Sequence, residues 1–262
     1  MVASPDSPLL SRSKNIAAPL FTSLKNGMQQ LVETLVARLN PNTLLTNAPV
    51  ESIQPRTGGW SVSAGLKSEH FNAVILALPA LASAKLLSTS SPELSAELAA
   101  IRYSSSITVG LGYDREVRQS LPAGFGFLIP RSEGKRLLAA TFVHNKFSHR
   151  APEDRALLRC FFAGSNAENL WQLSDDAIIA IVRNELQQIL GLRGAPLFAR
   201  VYKWKSAMAQ YGVSHLDRLD RIERLRRQLP GLALAGNAYR GIGVPDCVRS
   251  GQDAARQVTA IP

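Results

Sequence analysis

The sequence predicts an α+β fold, and three observations predict it. Four strand-like runs, at 106–113, 126–130, 136–143 and 157–163, follow one another with no helical pattern between them, which points to a mixed or antiparallel sheet. Apolar residues at helical spacing mark helices before and after that block. The chain then closes on an apolar strand, a glycine-rich turn and a helix.

Each element has its own signal. Residues 1–20 are rich in Ser, Pro and small residues and read as a flexible lead-in. Met28, Leu31, Val32, Leu35, Val36 and Leu39 share one face of a helix that Asn40-Pro41 stops. Strands at 50–53 and 60–62 flank the turn Thr57-Gly58-Gly59 as a small hairpin. FNAVILA at 71–77 is a short apolar run suited to a strand covered on both faces. Pro79 ends it and a helix follows. Ser90 and Glu93 have capping-box spacing for a helix over 92–101. Ser174 is placed to cap a helix reaching residue 190, with Ile178, Val182, Leu186 and Ile189 on one face. Residues 197–205 form another strand. Leu216, Leu219, Ile222 and Leu225 then recur every three residues beside Arg218, Arg221, Arg224, Arg226 and Arg227, a helix whose charge reads as a solvated face. Last come a strand at 232–235 and a helix at 245–258.

Composition narrows the function classes. With 262 residues, 45% of them hydrophobic, the chain builds one large domain or two interleaved ones. No apolar stretch approaches the roughly 20 residues of a membrane-spanning helix. The opening MVASPDSPLLSRSKN lacks the basic and apolar regions of a signal peptide. Cys160 and Cys247 make no disulfide framework and no metal spacing, and the four scattered histidines make no zinc-type pairing, so no metal is expected and a reducing, cytoplasmic compartment fits. The net charge of +10 suits anionic surfaces or acidic small molecules. No nucleic-acid motif accompanies it, so nucleic acid is not expected as a partner.

The chemistry concentrates at the C-terminus. Gly236, Gly241 and Gly243 lack a Cβ, so a flat ligand can approach the backbone. Pro245 suits the first turn of a helix, whose free N–H groups and dipole favour partial negative charge. Cys247, Ser250, Gly251, Ala254 and Val258 form a stripe of mostly small residues that allows close packing on a sheet. An ordinary tight strand–helix connection has the same features, and both readings stay open on these residues alone.

The segment LALAGNAYRGIGVPDCVRSGQDAA at 232–255 resembles the flavin-contacting C-terminus of the protoporphyrinogen oxidase family. That resemblance implies FAD as cofactor, with Ile242, Gly243 and Val244, beside Gly236 and Gly241, against the flavin ring. Further stretches agree with it. SLKNGMQQLVETL at 23–35 is similar to the family's helix entry, and Ala48-Pro49-Val50 falls where a valine backbone meets the adenine end of FAD. GFGFLIPR at 124–131 and TFVHNKFSH at 141–149 resemble the substrate domain's sheet. There Leu128 reads equally as a lining residue of an apolar porphyrinogen pocket and as a core strand residue. Trp204 with Ala209-Gln210-Tyr211 resembles a segment near the flavin, and Trp204 itself reads equally as a core aromatic. No residue is forced as a catalytic base, and Cys247 reads as a packed small residue because hydride chemistry needs no thiol.

The resemblance therefore implies parts of an interleaved, two-dinucleotide-binding FAD domain at 21–85 and 229–262, with a substrate domain at 86–228. The implied reaction is oxygen-dependent oxidation of a porphyrinogen, protoporphyrinogen IX or coproporphyrinogen III, in haem biosynthesis. Members of the family are often peripheral at a membrane. The basic cluster at 218–227 is the expected partner for substrate carboxylates. One departure is large: the family's G-x-G-x-x-G turn has no counterpart here. The alternative reading is thus a fragment that needs an N-terminal partner chain to bind FAD.

Overall fold

A computed structural model describes residues 21–260, so the lead-in expected at 1–20 lies outside the described residues. The periodic run after Met28 forms helix α1 (Gln29–Val36). Its apolar face does not become core: Met28, Val32, Leu35, Val36 and Leu39 are all exposed.

The expected hairpin forms from β1 (Ser52–Arg56) and β2 (Gly59–Ala64), with Ile53 opposite Val62. A third strand, β3 (Lys67–Phe71), extends it into a meander and seats Phe71 opposite Trp60. The apolar run expected as one strand over 71–77 is therefore divided. Phe71 closes β3, and only β4 (Val74–Leu76) continues. Full coverage of that run also fails, since Ile75 is exposed.

Two short helices follow Pro79, α2 (Ala80–Leu87) and α3 (Pro92–Ala99). The expected Ser90–Glu93 capping box is absent. Pro92 takes the first helical position, so the N-cap falls on Ser91 and Glu93 sits one place too early. Ser90 Oγ lies 3.5 Å from the Leu87 carbonyl instead.

The next block is the antiparallel sheet. β5 (Tyr103–Tyr113) leads through α4 (Arg115–Ser120) to β6 (Gly126–Leu128) and β7 (Ala139–Phe142). The short α5 (Val143–Lys146) precedes β8 (Ala156–Ala163), α6 (Ser165–Leu170), α7 (Asp175–Leu190) and the long β9 (Phe198–Ala209). The five strands lie in the order β6-β7-β8-β5-β9, every neighbouring pair antiparallel. Ser174 Oγ caps α7 by accepting from Ala177 N at 3.3 Å. Ile178, Val182 and Leu186 of α7 pack on Ile107, Val109, Leu111, Leu158 and Phe162, which forms one core. The other face of this sheet stays open.

After β9 the chain forms α8 (His215–Arg226), β10 (Leu232–Leu234) and α9 (Val244–Thr259). β10 pairs in parallel with β4. A second core joins Trp60, Leu76, Leu87, Leu94, Leu98, Leu219, Ile222 and Leu232. Ala254 of α9 packs on Ala233 and Ala235 from the opposite side of β10, which is the use of the small-residue stripe.

The arginines of α8 are largely spent inside the protein. Arg218 and Arg221 donate to the two oxygens of Glu97 on α3 at 2.8 and 2.7 Å, and Arg226 and Arg227 donate to Glu223 at 2.8 and 2.9 Å. This corrects the expectation that the cluster meets a substrate carboxylate, because four of its five guanidinium groups already hold one. The bond from Arg221 does most to keep the Glu97 carboxyl below its ordinary range, and the bond from Arg226 pulls Glu223 to about 2. Both carboxyls are depressed, so their contribution to stability is complete above the unfolded value of 4.5 and is lost as pH falls below it, for Glu223 down to about 2. We expect thermal melts to show the second core weakening across that window. Glu97→Gln should flatten the acid limb and lower the melting temperature at pH 7 more than at pH 3. An unchanged acid limb would show that the α3–α8 pair contributes nothing.

Candidate functional site

β4 and β10 end together, with Leu234 opposite Leu76. Beyond their carboxyl ends the chain diverges, into α2 on one strand and into the glycine turn and α9 on the other. That divergence opens the kind of crevice in which open parallel sheets bind ligands. Here it is a cavity of about 490 Å³. Ala77, Leu78 and Pro79 line it after β4, and Ser206 and Ala207 close one side from β9. Gly236, Asn237, Ile242 and Val244 line it after β10, and Leu31, Tyr103, Cys247 and Val248 complete it.

The turn from residue 236 to 243 is held at several points. Gly236 and Gly241 have φ of 123° and 139°, a region L side chains rarely adopt. Tyr211 Oη donates to the Asn237 carbonyl at 2.8 Å and accepts from Gly241 N at 2.9 Å, so one hydroxyl ties both halves of the turn. The Tyr211 ring stacks on His215 at 4.1 Å between centroids, and His215 Nε2 lies 2.9 Å from the Tyr239 carbonyl. Gly236 N donates to Ser250 Oγ at 3.1 Å, and Gly243 N donates to Asp246 Oδ2 at 3.2 Å.

Val244, the first residue of α9, lines the cavity, so the positive end of the helix dipole faces it. No Asp or Glu lies among the lining residues. The walls are mostly apolar, with Ser206, Asn237 and Tyr103 as the polar exceptions, and the volume falls within the usual range for cofactor pockets of about 300–1,000 Å³. These residues fit a flat, electron-rich ring such as a flavin, with its electronegative edge toward α9.

The structure brings Gly236, Ile242 and Val244 to this cavity. Gly241 and Gly243 shape the turn from behind, in contact with Asp246. Trp204 does not reach the cavity. It lies on the open face of the five-stranded sheet, 50% exposed, with Nε1 donating to Thr108 Oγ1 at 3.2 Å. Leu128, 82% exposed on β6, lines an apolar recess together with Phe127, Ile129, Phe142 and Leu190. Val50 is exposed just before β1 and lines none of these cavities. Two contributors were not among the expected site residues, although Tyr211 lies in the segment that resembles one near the flavin. Ser206 lines the crevice with a left-handed φ of 45°, and Tyr211 acts as the brace of the turn.

That brace predicts an effect. Tyr211→Phe keeps the stacked ring and removes two hydrogen bonds, each contributing roughly 0.5–1.5 kcal/mol. Flavin retention should fall about tenfold, and the melting temperature by a few degrees. Equal retention would show that the glycine turn needs no brace.

A parallel β4–β10 pair, a crevice at its carboxyl ends and a helix N-terminus aimed into it define a dinucleotide-cofactor protein of the flavin type. The sequence profile of the family described as flavin containing amine oxidoreductase matches residues 4–259, and the chain belongs to that family. The family's cofactor is FAD. Among curated relatives, the coproporphyrinogen III oxidase of Bacillus subtilis is 30% identical over 237 residues, covering 89% of this chain and 50% of the relative. The coproporphyrinogen III oxidase of Mycobacterium tuberculosis (H37Rv) is 32% identical over 249 residues, covering 93% and 51%. Protoporphyrinogen oxidase 2 of Arabidopsis thaliana is 29% identical, covering 89% and 49%. The chain thus spans about half the length of the curated relatives it matches. Among solved structures, one from Exiguobacterium sp. 255-15, provisionally described as a protoporphyrinogen oxidase, superposes with a TM-score of 0.81 at 28% identity, covering 90% of this chain and 51% of that one. Cyclohexylamine oxidase from Brevibacterium oxydans shares the fold, with a TM-score of 0.70 at 18% identity. Among the described residues, no helix is long and apolar enough to cross a membrane.

Proposed function

We propose that this chain supplies the flavin-ring contacts and the substrate sheet of an FAD-dependent porphyrinogen oxidase, acting on protoporphyrinogen IX or coproporphyrinogen III with oxygen as final acceptor. The crevice beyond β4 and β10 carries the reading, since it joins the braced glycine turn, the α9 N-terminus and the end of β9 in one place. Bound flavin supplies the hydride acceptor. The chain's own residues position and polarise. Ile242 and Val244 hold one side of the ring. The α9 N-terminus stabilises negative charge at its edge. The open sheet face, with Tyr202, Trp204 and Phe161, offers an apolar surface for the macrocycle next to the crevice. The proposed division is into FAD-binding parts at 21–85 and 229–262 and a substrate part at 86–228; the first core, from Ile107 to Leu192, falls wholly within the substrate part, whereas α3 and α8 of that part pack in the second core with the FAD-binding parts.

One observation favours the reading in which further chain is needed. A two-stranded parallel sheet is rare without neighbours on both faces. Here Ile75 of β4 is 38% exposed, and the apolar side of α1 is uncovered. A further strand and helix, from a longer chain or from a separate one, would cover both.

The test is flavin absorbance that survives gel filtration of the purified 262-residue chain, followed by porphyrin fluorescence after addition of porphyrinogen. Stoichiometric flavin and a rise in fluorescence support the enzyme reading. A folded chain that retains no flavin supports the fragment reading. Retained flavin that oxidises an amine and no porphyrinogen overturns both.

A further inference from the structure

The open face of the five-stranded sheet is not uniformly apolar. Residues directly opposite across neighbouring strands share a face. One row, read from β6 to β9, is therefore Gly126, Thr141, Arg159, Gly110 and Arg200. The next row toward the crevice is Leu128, Ala139, Phe161, Thr108 and Tyr202, and the one after it carries Ala163, Ser106 and Trp204. No carboxylate stands in any of these rows.

Two arginines thus sit two strands apart, about 9–10 Å between their backbones, on either side of a glycine. Both are exposed, and neither makes an ion pair among the described residues. The contrast with α8 is sharp, where four arginines are already matched to carboxylates. The space over Gly110 is open, since a Cβ built there meets nothing within 4 Å. At Gly112, two residues along, the Phe198 ring fills the corresponding space.

We propose that Arg159 and Arg200 form a clamp for the carboxylates of the tetrapyrrole, a role that rests on the porphyrinogen reading above. Tyr202, Phe161 and Trp204 lie between the arginine row and the crevice. A macrocycle lying on them points its acidic arms at the two guanidinium groups and its opposite rim toward the flavin site. Planar guanidinium forks suit carboxylates, and the gap over Gly110 lets an arm enter between them.

The experiment titrates coproporphyrin III and, separately, its tetramethyl ester into the purified chain, read by quenching of tryptophan fluorescence. Arg159→Ala and Arg200→Ala should each weaken the acid about tenfold and leave the ester unchanged. Gly110→Val, which suits a strand and fills the gap, should weaken the acid as well. Full affinity in all three variants overturns the clamp, as does an equal loss for acid and ester, which would mean lost packing. A chain that binds both porphyrins and ignores the substitutions loses only the clamp. An unsubstituted chain that binds neither porphyrin overturns the porphyrinogen reading together with it.

Discussion

Gly241→Val is expected to leave a folded chain that no longer retains flavin. The position combines a φ of 139° with a neighbour that leaves no room, because a Cβ there overlaps the Asp246 carboxylate. A β-branched residue at that φ is a backbone outlier costing roughly 1–3 kcal/mol before any overlap is counted. The local answer is to move Asp246, which accepts from Gly243 N, or to move the turn, which Tyr211 holds at Asn237 and Gly241. Either shift displaces Ile242 and Val244 from the cavity wall. The loss of affinity should reach about a hundredfold, the equivalent of about 2.7 kcal/mol. Flavin absorbance after gel filtration measures it, and far-UV circular dichroism checks the fold. The core beneath the five-stranded sheet lies elsewhere and should melt as before. Wild-type flavin content in a folded variant would sink the assignment of the turn.

The second large effect falls on stability. Trp60 is 0% exposed, and its Nε1 donates to the Pro230 carbonyl at 2.8 Å. Pro230 and Gly231 feed β10, and Gly231 has a φ of 79° at a position where a Cβ would meet the Asn72 carbonyl oxygen at 2.8 Å. Trp60 therefore joins the meander to the strand that ends at the crevice. Trp60→Ala opens a large cavity, at about 3–5 kcal/mol, out of the roughly 5–15 kcal/mol that holds a typical domain folded. It also orphans a carbonyl. Urea unfolding should show the second core separating from the first as an early transition. Trp60→Phe keeps most of the volume and loses the hydrogen bond, so about 1–2 kcal/mol is expected from it. A loss below about 2 kcal/mol in the alanine variant would show that the small sheet closes over the gap.

What could be read in the sequence follows from how local each signal is. The C-terminal turn was legible because its glycines, Pro245 and the small stripe ending in Val258 all constrain neighbouring backbone. The antiparallel sheet was legible because Ile107, Val109 and Leu111 alternate with polar or small residues, and α7 because Ser174 caps it. β3 was missed, since Lys67, Ser68, Glu69 and His70 are all exposed and carry no apolar alternation. The division of FNAVILA was missed because Phe71 and Ile75 are equally apolar, and only cross-strand pairing decides that one ends β3 and the other sits in β4. The neighbours of Trp204 leave it open between a flavin neighbour and a core aromatic, and strand register, which no local signal carries, puts it on the exposed sheet face. Ser206 carries no local signal, and for Tyr211 the resemblance gives only proximity to the flavin, because its bracing role comes from contacts with Asn237 and Gly241 about 30 residues away.

β5 and β9 run from one core into the other: Tyr103 pairs with Ala209 at the crevice end, and Gly112 pairs with Phe198 at the far end. The interval between Ala207 at the cavity and Trp204 on the open face is three residues of β9, bulged at Ser206 with its φ of 45° and so shorter than three extended residues. No hinge loop adjusts it, and the one irregularity in the ladder, between Ser104 and Ser106, sits at the crossing. The pair of strands works as a gauge. Inserting two residues between Trp204 and Ala207 would lengthen the reach by about 7 Å and keep the aromatic face. Inserting one would turn Trp204 and Tyr202 over to the α7 side. The dimensions of the molecule that fits between crevice and sheet are therefore written in the residue count of β9.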